Sequence, residues 1–236
     1  MVTILLMNYQ RRKNIDLILD FLRSQNISLE IFLWNNADES FSDDRVDWVI
    51  NSSNNTRCWS RWFIAQYATN DFIMTLDDDL MFEGNDSIDL LLHSAKVNYE
   101  KGRITGLFGV QYNGAKNYWA GPKERKSAAK NNQLLNVHVD LPDTTMNVDM
   151  VKGRCMVFNK ADLNLLPMAP KFIDFGDDLI ASYYMGAGHI RHHRITNVLS
   201  NRIVNLKEEK GEMALSSTGN WNDIRSEIMN HYWKSN

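Results

Sequence analysis

A short apolar run that ends in three consecutive aspartates is the feature that most constrains this chain. The run Phe72–Leu76 is aromatic, β-branched and aliphatic, and Asp77, Asp78 and Asp79 follow it directly. Such a run predicts a buried strand. Adjacent carboxylates repel one another and resist removal from water, so a divalent cation at the end of the strand would stabilise them. Their oxygen ligands suit Mg²⁺ or Mn²⁺ and, through the cation, a diphosphate; a solvated acidic turn is the alternative.

Composition and charge predict a soluble globular protein, with length enough for one large domain or two small ones. The 236 residues are 44% hydrophobic and 11% aromatic, enough for a substantial core. The formal net charge of −3 gives no overall attraction to nucleic acid or anionic membranes. Two cysteines without CxxC spacing indicate neither a disulfide framework nor a zinc site. No apolar stretch reaches the length of about 18 residues that a membrane span needs, and residues 1–12 lack a signal-peptide pattern. We therefore expect a cytoplasmic protein without stable membrane insertion.

The first half of the chain alternates between strand and helix patterns. Strands are predicted at residues 3–7, 31–34, 46–50, 72–76 and 104–110, and helices at 13–24, 59–67 and 86–99. The order β-α-β-β-α-β predicts an α/β fold, a mostly parallel central sheet with helices on its faces. Polar residues follow several of these strands, at the edge where open α/β sheets bind ligands.

The second half is less regular. Residues 112–132 contain two glycines, a proline and a charge cluster, which predicts a long surface loop. A strand interrupted at Gly153 is predicted over 148–159, a helix over 175–185 and a terminal helix over 221–233. The polar segment 207–219 predicts a mobile loop. Asp177 and Asp178 open the helix at 175–185, where the helix dipole alone would favour them.

The order of these segments resembles that of a known family. The chain is similar to the GT-A nucleotide-sugar glycosyltransferases, and among them to the exostosin-type α-N-acetylhexosaminyltransferase domain. The matching segments are, in order, residues 8–11, 34–36, 61, 77–79, 106–109, 150–158, 177–181, 204–206 and 221. The resemblance implies one GT-A domain over residues 1–236, in which 1–111 bind the nucleotide sugar and 112–236 bind the acceptor.

The resemblance also implies an activity. A metal-dependent enzyme of this kind moves a sugar, with retention of configuration, from a nucleotide diphosphate sugar, here a UDP-sugar, to an acceptor hydroxyl. The implied nucleotide-sugar ligands are Tyr9, Arg11, Asn35, Asn55, Arg61, Asp77 and Asp78. Asp79, together with Asp77, would hold Mn²⁺ or Mg²⁺. Side-chain chemistry agrees, because arginine donates to phosphate in a fixed geometry and asparagine pairs with a uracil edge or a ribose hydroxyl.

Catalytic residues follow from the same resemblance. Asp178, with Asp177 beside it, matches the carboxylate near the anomeric carbon, where it would accept the acceptor's proton or stabilise an oxocarbenium-like transition state. The implied mechanism is front-face attack, with the leaving diphosphate helping as base. The family's basic residues after its tryptophan clamp the diphosphate. Here Arg225 follows Trp221 at a shifted spacing and is the candidate for that role, with a solvated helix surface as the alternative.

The acceptor is open between two classes. One is a saccharide, a glycolipid precursor or a small metabolite; the other is hydroxymethylated phage-type DNA, with phosphate contacts from the basic segments 123–130 and 189–194. For the histidines of segment 189–194, a metal site, an acceptor-facing loop and ordinary packing are all open. Two further functions are a nucleotide-sugar-binding module without turnover and a metal-dependent nuclease, since clustered carboxylates also hold two-metal sites.

Overall fold

The computed structural model describes residues 1–131, 133–172, 174–207 and 220–234. The strands are β1 (Val2–Asn8), β2 (Leu29–Asn35), β3 (Trp48–Asn51), β4 (Phe72–Leu76), β5 (Leu80–Phe82), β6 (Thr105–Gly106), β7 (Phe108–Gln111), β8 (Val137–Asp140), β9 (Met146–Val148), β10 (Met150–Val151), β11 (Cys155–Asn159), β12 (His193–Ile195) and β13 (Ile203–Asn205). The helices are α1 (Arg12–Arg23), α2 (Ser60–Ala65), α3 (Ser87–Val97), α4 (Pro122–Lys130), α5 (Asp177–Met185) and α6 (Trp221–Trp233), with a 3₁₀ helix at Lys160–Leu165.

A mixed eight-stranded sheet organises the fold, in the order β3-β2-β1-β4-β11-β6-β12-β9. The pairs β3–β2, β2–β1, β1–β4 and β6–β12 are parallel, and the pairs β4–β11, β11–β6 and β12–β9 are antiparallel. This confirms the predicted α/β fold with a mostly parallel central sheet. Because β3, β2, β1 and β4 are parallel neighbours, their carboxyl ends meet at one edge of the sheet.

Both faces of the sheet are covered. Successive residues of β1 point to opposite faces, so Ile4 and Leu6 join a core with α1 and α3, while Leu5 joins a core with α2, α5 and α6. The second core brings α5 and α6 to the side of the sheet on which α2 lies. Among the described residues, no helix combines the length and apolar character of a membrane-spanning segment.

The strand predicted over 104–110 is divided between two sheets. β6 lies in the large sheet, whereas β7 pairs with β8 and β10 in a separate antiparallel sheet. A side chain at Gly106 would place its Cβ 2.3 Å from Cγ1 of Val151, so the chain packs closely where it passes from one sheet to the other. The strand predicted over 148–159 is likewise broken into β9, β10 and β11.

The prediction of a surface loop over 112–132 was wrong in part, because this segment contains α4 and packs against α6. Pro122 occupies the first turn of α4, where its missing N–H costs nothing. Tyr118 is 2% exposed, and its backbone N–H donates to Oγ of Ser226 at 2.8 Å. The segment therefore forms part of the second core. The loop predicted over 207–219 lies, from residue 208 onward, outside the described residues.

Candidate active site

One cavity of about 750 Å³ opens at the edge where the parallel strands end. Its volume lies in the range of small-molecule and cofactor sites. Ten of the eleven residues predicted for the site line it: Tyr9, Arg11, Asn55, Arg61, Asp77, Asp78, Asp79, Asp177, Asp178 and Arg225. The structure therefore brings together, from both halves of the chain, residues that are up to 216 positions apart in the sequence.

Asn35 is the exception, because it lies beneath the cavity rather than on its wall. It is fully buried, and its side-chain amide donates to the carbonyl of Glu39 at 2.7 Å and to Oδ1 of Asn51 at 2.9 Å. Its own Oδ1 accepts from Nδ2 of Asn8 at 2.7 Å. These contacts leave Asn35 no free group for a nucleotide. The next residue, Asn36, lines the cavity instead.

Each aspartate of the triplet faces an arginine. The three ion pairs are Arg61–Asp77 at 3.0 Å, Arg11–Asp78 at 2.8 Å and Arg154–Asp79 at 3.1 Å. Asp78 lies deepest, with 15% of its side chain exposed against 29% for Asp77 and 28% for Asp79. Burial raises the pKa of Asp78 to about 7 even though Arg11 opposes the shift, and the neighbouring carboxylates add to it. Asp77 and Asp79 thus offer the more accessible carboxylates.

The donor set fits a cation that binds together with a nucleotide. Among the described residues, no group of three or more acidic, cysteine or histidine side chains forms a complete cation site. Mg²⁺ in nucleotide sites needs only one or two protein carboxylates, since phosphate oxygens and water complete its shell. Asp77 and Asp79 are hard oxygen donors on the cavity wall, partly open to solvent. Asp77 and Asp79 therefore match the one or two carboxylates that the protein supplies at such a site.

Asp178 is held in place by Arg225 and by two backbone N–H groups. Gly153 N donates to Oδ2 at 3.1 Å, and Leu179 N donates to Oδ1 at 2.9 Å. Burial raises the pKa of Asp178, but Arg225 and these donors outweigh it, so the net pKa is lowered. Asp178 is therefore an ionised, weakly basic carboxylate.

Arg225 is not on a solvated helix surface, because only 7% of it is exposed. Its Nη1 and Nη2 contact Oδ1 and Oδ2 of Asp178 at 2.9 and 2.7 Å, and Nη2 also donates to the hydroxyl of Tyr118 at 3.0 Å. The expectation that Arg225 clamps a diphosphate stays a prediction. Its guanidinium is engaged by Asp178, which makes it a positioning residue in this arrangement.

Asp177 belongs to a second buried ion pair. Its Oδ2 accepts from Nε1 of Trp62 at 3.1 Å and lies 3.4 Å from Nε of Arg61. Burial raises the pKa of Asp177 to about 6, with Arg61 opposing the shift. Since Arg61 also pairs with Asp77, one guanidinium links the aspartate triplet to the acidic pair at the start of α5.

Several wall residues were missed by sequence reasoning. They are Arg57, Tyr118, Trp119, Arg154 and Phe175. The Tyr118–Trp119 pair lay in a segment interpreted as surface loop, where adjacent aromatic residues were a signal of packing. Arg154 directly follows the glycine that breaks a predicted strand. For Arg57 and Phe175, no pattern in the sequence distinguishes them from ordinary loop residues.

Two residues of the basic segment 189–194, His193 and Arg191, have packing roles. Backbone N–H of Ile104 donates to Nδ1 of His193 at 3.0 Å, and Nε2 donates to the carbonyl of Ser182 at 2.6 Å. Burial lowers the pKa of His193 to about 3, so the ring is neutral. Both ring nitrogens are used, which leaves none for a metal. Arg191 pairs with the buried Asp149 at 2.6 Å.

Comparison with known proteins identifies the fold. No protein-family model matches the chain, and no curated protein matches it by sequence. Among solved structures, S. aureus TarS 1-349 in complex with UDP-GlcNAc aligns with a TM-score of 0.61 and 13% identity, over 98% of this chain and 65% of that one. The mannosyltransferase PcManGT from Pyrobaculum calidifontis, in complex with GDP-Man and Mn²⁺, aligns with a TM-score of 0.52 and 14% identity, over 83% and 54%. The chain thus spans less than two thirds of the length of either of these proteins. Its fold is the GT-A glycosyltransferase fold.

Proposed function

We propose that this protein is a metal-dependent glycosyltransferase that moves a sugar from a UDP-sugar to an acceptor hydroxyl with retention of configuration. The observation that carries the proposal is the convergence of the aspartate triplet and the Asp177–Asp178 pair in one cavity of a glycosyltransferase fold. Residues 1–111 would bind the nucleotide sugar, and residues 112–236 would bind the acceptor. The resemblance to exostosin-type domains motivates the choice of UDP and of retention.

The donor side of the cavity suits a nucleotide sugar. Tyr9 is 39% exposed and offers an aromatic ring on which a base can stack, and Asn55 supplies an amide close by in the same cavity. The two similar solved structures are complexes with UDP-GlcNAc and with GDP-Man. We therefore infer a nucleoside diphosphate sugar as the class of donor.

Asp79 and Asp77 would hold Mn²⁺ or Mg²⁺. When bound, the cation supplies Lewis-acid neutralisation of the charge on the leaving diphosphate. The chain contributes two carboxylates, and the arginines that pair with them lie in the same cavity. Arg154 and Arg61 now pair with these carboxylates, so they would exchange part of that contact for phosphate oxygens.

Asp178 would act by charge. In the transfer, the acceptor oxygen bonds to the anomeric carbon. The bond from that carbon to the diphosphate oxygen breaks, and its electrons go to the diphosphate. The acceptor's proton passes to a diphosphate oxygen on the same face. Asp178 is bound by Arg225 and two N–H groups, which makes it a weak base and a weak nucleophile. Stabilising positive charge on the sugar ring is the role that this geometry supports.

A saccharide or small-molecule hydroxyl is the acceptor we infer. The second half of the chain gives the cavity an aromatic wall that includes Trp119, Phe175 and Trp221, to which the apolar face of a sugar ring is complementary. The DNA alternative keeps one favourable observation, the exposed lysines of α4. Two of its other proposed phosphate ligands are engaged within the protein, because Arg191 pairs with Asp149 and Arg125 donates to the carbonyl of Ala120 at 2.8 Å.

A donor panel tests the proposal. The protein is incubated with UDP- and GDP-sugars and Mn²⁺, with and without acceptors, and released nucleoside diphosphate is measured. We expect release from a UDP-sugar, slow with water and faster with a matching acceptor. Binding without any release would indicate a nucleotide-sugar-binding module. Phosphodiester cleavage that needs no sugar donor would indicate a nuclease.

A further inference from the structure

Arg57 differs from the other cationic residues of the cavity, because it has no acidic partner among the residues that the structure describes. The paired cations are Arg11, Arg61, Lys152, Arg154 and Arg225, each with an aspartate oxygen within 3.1 Å. Within the described parts of the chain, Arg57 forms no salt bridge, although it lines the same cavity and is half-buried. Its positive charge is therefore not neutralised by a neighbouring carboxylate.

The backbone fixes Arg57 in an unusual conformation. Its φ is +58°, in the left-handed region that side chains other than glycine seldom adopt. The side chain of Asn55 accepts from Arg57 N at 2.9 Å, and the hydroxyl of Ser60 donates to the Arg57 carbonyl at 2.9 Å. Nδ2 of Asn36 donates to the same carbonyl at 3.4 Å. Strained residues that surrounding contacts hold in place are more common at functional sites, and these three hydrogen bonds fix the Arg57 backbone on the cavity wall.

The side chain of Arg57 contacts an aromatic residue from the second half of the chain. Its Cζ lies 5.5 Å from the ring centroid of Phe175, which comes two residues before Asp177. Arg61, four residues after Arg57, contacts both Asp77 and Asp177. Arg57 and Arg61 line the same cavity. The aromatic contact supports the face of the guanidinium and leaves its N–H groups available.

We propose that Arg57 binds the diphosphate of the nucleotide sugar, because within the described part of the chain it is the cavity cation that would contact phosphate without giving up a carboxylate. The inference rests on the proposed function. A contact between a partly exposed guanidinium and an aromatic ring is weak, whereas hydrogen bonds between guanidinium and phosphate are charge-assisted and short. Exchanging the first for the second therefore favours the bound state. As the bond to the sugar breaks and the diphosphate gains negative charge, the same contact strengthens.

Isothermal titration calorimetry in Mn²⁺ tests the assignment, with uridine and UDP or, if the parent prefers guanine, guanosine and GDP. The variants are Arg57→Gln, which removes the charge, and Arg57→Lys, which keeps it. Arg12→Gln is the matched control, because the Arg12 guanidinium lies 3.8 Å from the ring of Phe41 outside the cavity. We expect Arg57→Gln to weaken diphosphate binding by about tenfold to a hundredfold, the scale of a hydrogen bond to a charged group.

In the same experiment, Arg57→Lys should keep part of the affinity, and nucleoside binding should match the parent in every variant. Two results would overturn the inference: Arg57→Gln binding the diphosphate as tightly as the parent, or losing nucleoside and diphosphate affinity equally, which would place Arg57 at the base or ribose. If the parent itself binds neither UDP nor GDP, the proposed function fails and the inference fails with it. Thermal unfolding of each variant separates lost binding from lost folding, and Arg57→Lys decides the assignment if Arg57→Gln unfolds.

Discussion

Arg225 and Asp178, 47 residues apart in the sequence, form a buried two-point ion pair that joins α6 to the start of α5. The guanidinium lies over the rings of Tyr118 and Trp221, with Cζ at 4.4 and 5.0 Å from their centroids. These two aromatic contacts, with the hydrogen bonds to Asp178, hold the guanidinium and, through it, the carboxylate in place. The pair therefore keeps a negative charge at a defined point of the cavity wall.

Removing Arg225 should strongly destabilise the protein. Arg225→Met leaves the carboxylate of Asp178 buried without its partner, and breaking such a pair costs about 3–5 kcal/mol. Urea unfolding of the parent and the variant measures this cost. In the double variant Asp178→Asn with Arg225→Met, no unpaired charge remains, so part of the stability should return. A loss of less than about 1 kcal/mol in Arg225→Met, the scale of exposed pairs, would show that the pair is not buried as described.

Asp178→Asn should impair transfer far more than donor binding. The proposed charge of Asp178 acts on the transition state, so turnover should fall by about 10²-fold or more, while affinity for the nucleotide stays close to that of the parent. Steady-state kinetics and calorimetry on the same sample give both quantities. Normal turnover with weakened nucleotide-sugar affinity would instead place Asp178 in the donor pocket.

The titration of Asp177 should make the free energy of unfolding depend on pH between about pH 4 and 6. Burial raises the pKa of folded Asp177 to about 6 from its ordinary value of 3.8, so the folded state binds more protons in this window and stability falls as pH rises. Asp177→Asn removes this titration. The stability of the variant relative to the parent should therefore increase from pH 4 to pH 6, by on the order of 2 kcal/mol. Urea midpoints at several pH values measure the difference, and a flat difference would contradict the raised pKa.

The lysines of α4 separate the two acceptor classes. For a saccharide acceptor, replacing Lys123, Lys126 and Lys130 with alanine should leave transfer unchanged and insensitive to salt. For a DNA acceptor, each lost phosphate contact would release about one counterion fewer, which would weaken binding and flatten its salt dependence. Transfer to neutral saccharides and to hydroxymethylated duplex DNA across a salt series is the measurement. Salt-sensitive transfer to DNA that the triple variant loses would overturn our choice of acceptor.

Local patterns predicted much of the fold. The strand Phe72–Leu76 and the helix Trp221–Trp233 have the predicted bounds. Both predictions depend on a pattern of neighbouring residues, an apolar run for the strand and a helical repeat for the helix. The same patterns placed the polar residues at strand ends, and parallel strands brought those ends together in the cavity. Predictions that depend only on neighbours in sequence and on the direction of strands are the ones the structure confirmed.

Long-range packing determined the remaining features. Whether Asn35 or Asn36 faces the cavity depends on contacts with Asn8 and Asn51, which lie on other strands. The partner of Arg225 depends on how α6 packs against α5, for which the sequence of either helix gives no direct sign. The packing of Tyr118 and Trp119 was not predicted, because their segment is rich in glycine and charge. Only the contacts of these residues with α6 show that the segment is packed.

Calorimetric titration of UDP and GDP into the parent and into Asp79→Ala, with and without Mn²⁺, tests the proposed nucleotide site most directly. The parent should bind one of the two nucleotides in a Mn²⁺-dependent manner, and Asp79→Ala should lose that dependence. Its fold should be retained, because the Asp79–Arg154 pair is partly exposed and such pairs contribute about 0–1 kcal/mol. Asp89→Ala, which removes an exposed carboxylate of α3 outside the cavity, is the control and should bind like the parent. Binding of UDP and Mn²⁺ to Asp79→Ala as tightly as to the parent, or no binding of either nucleotide to the parent, would contradict the assignment.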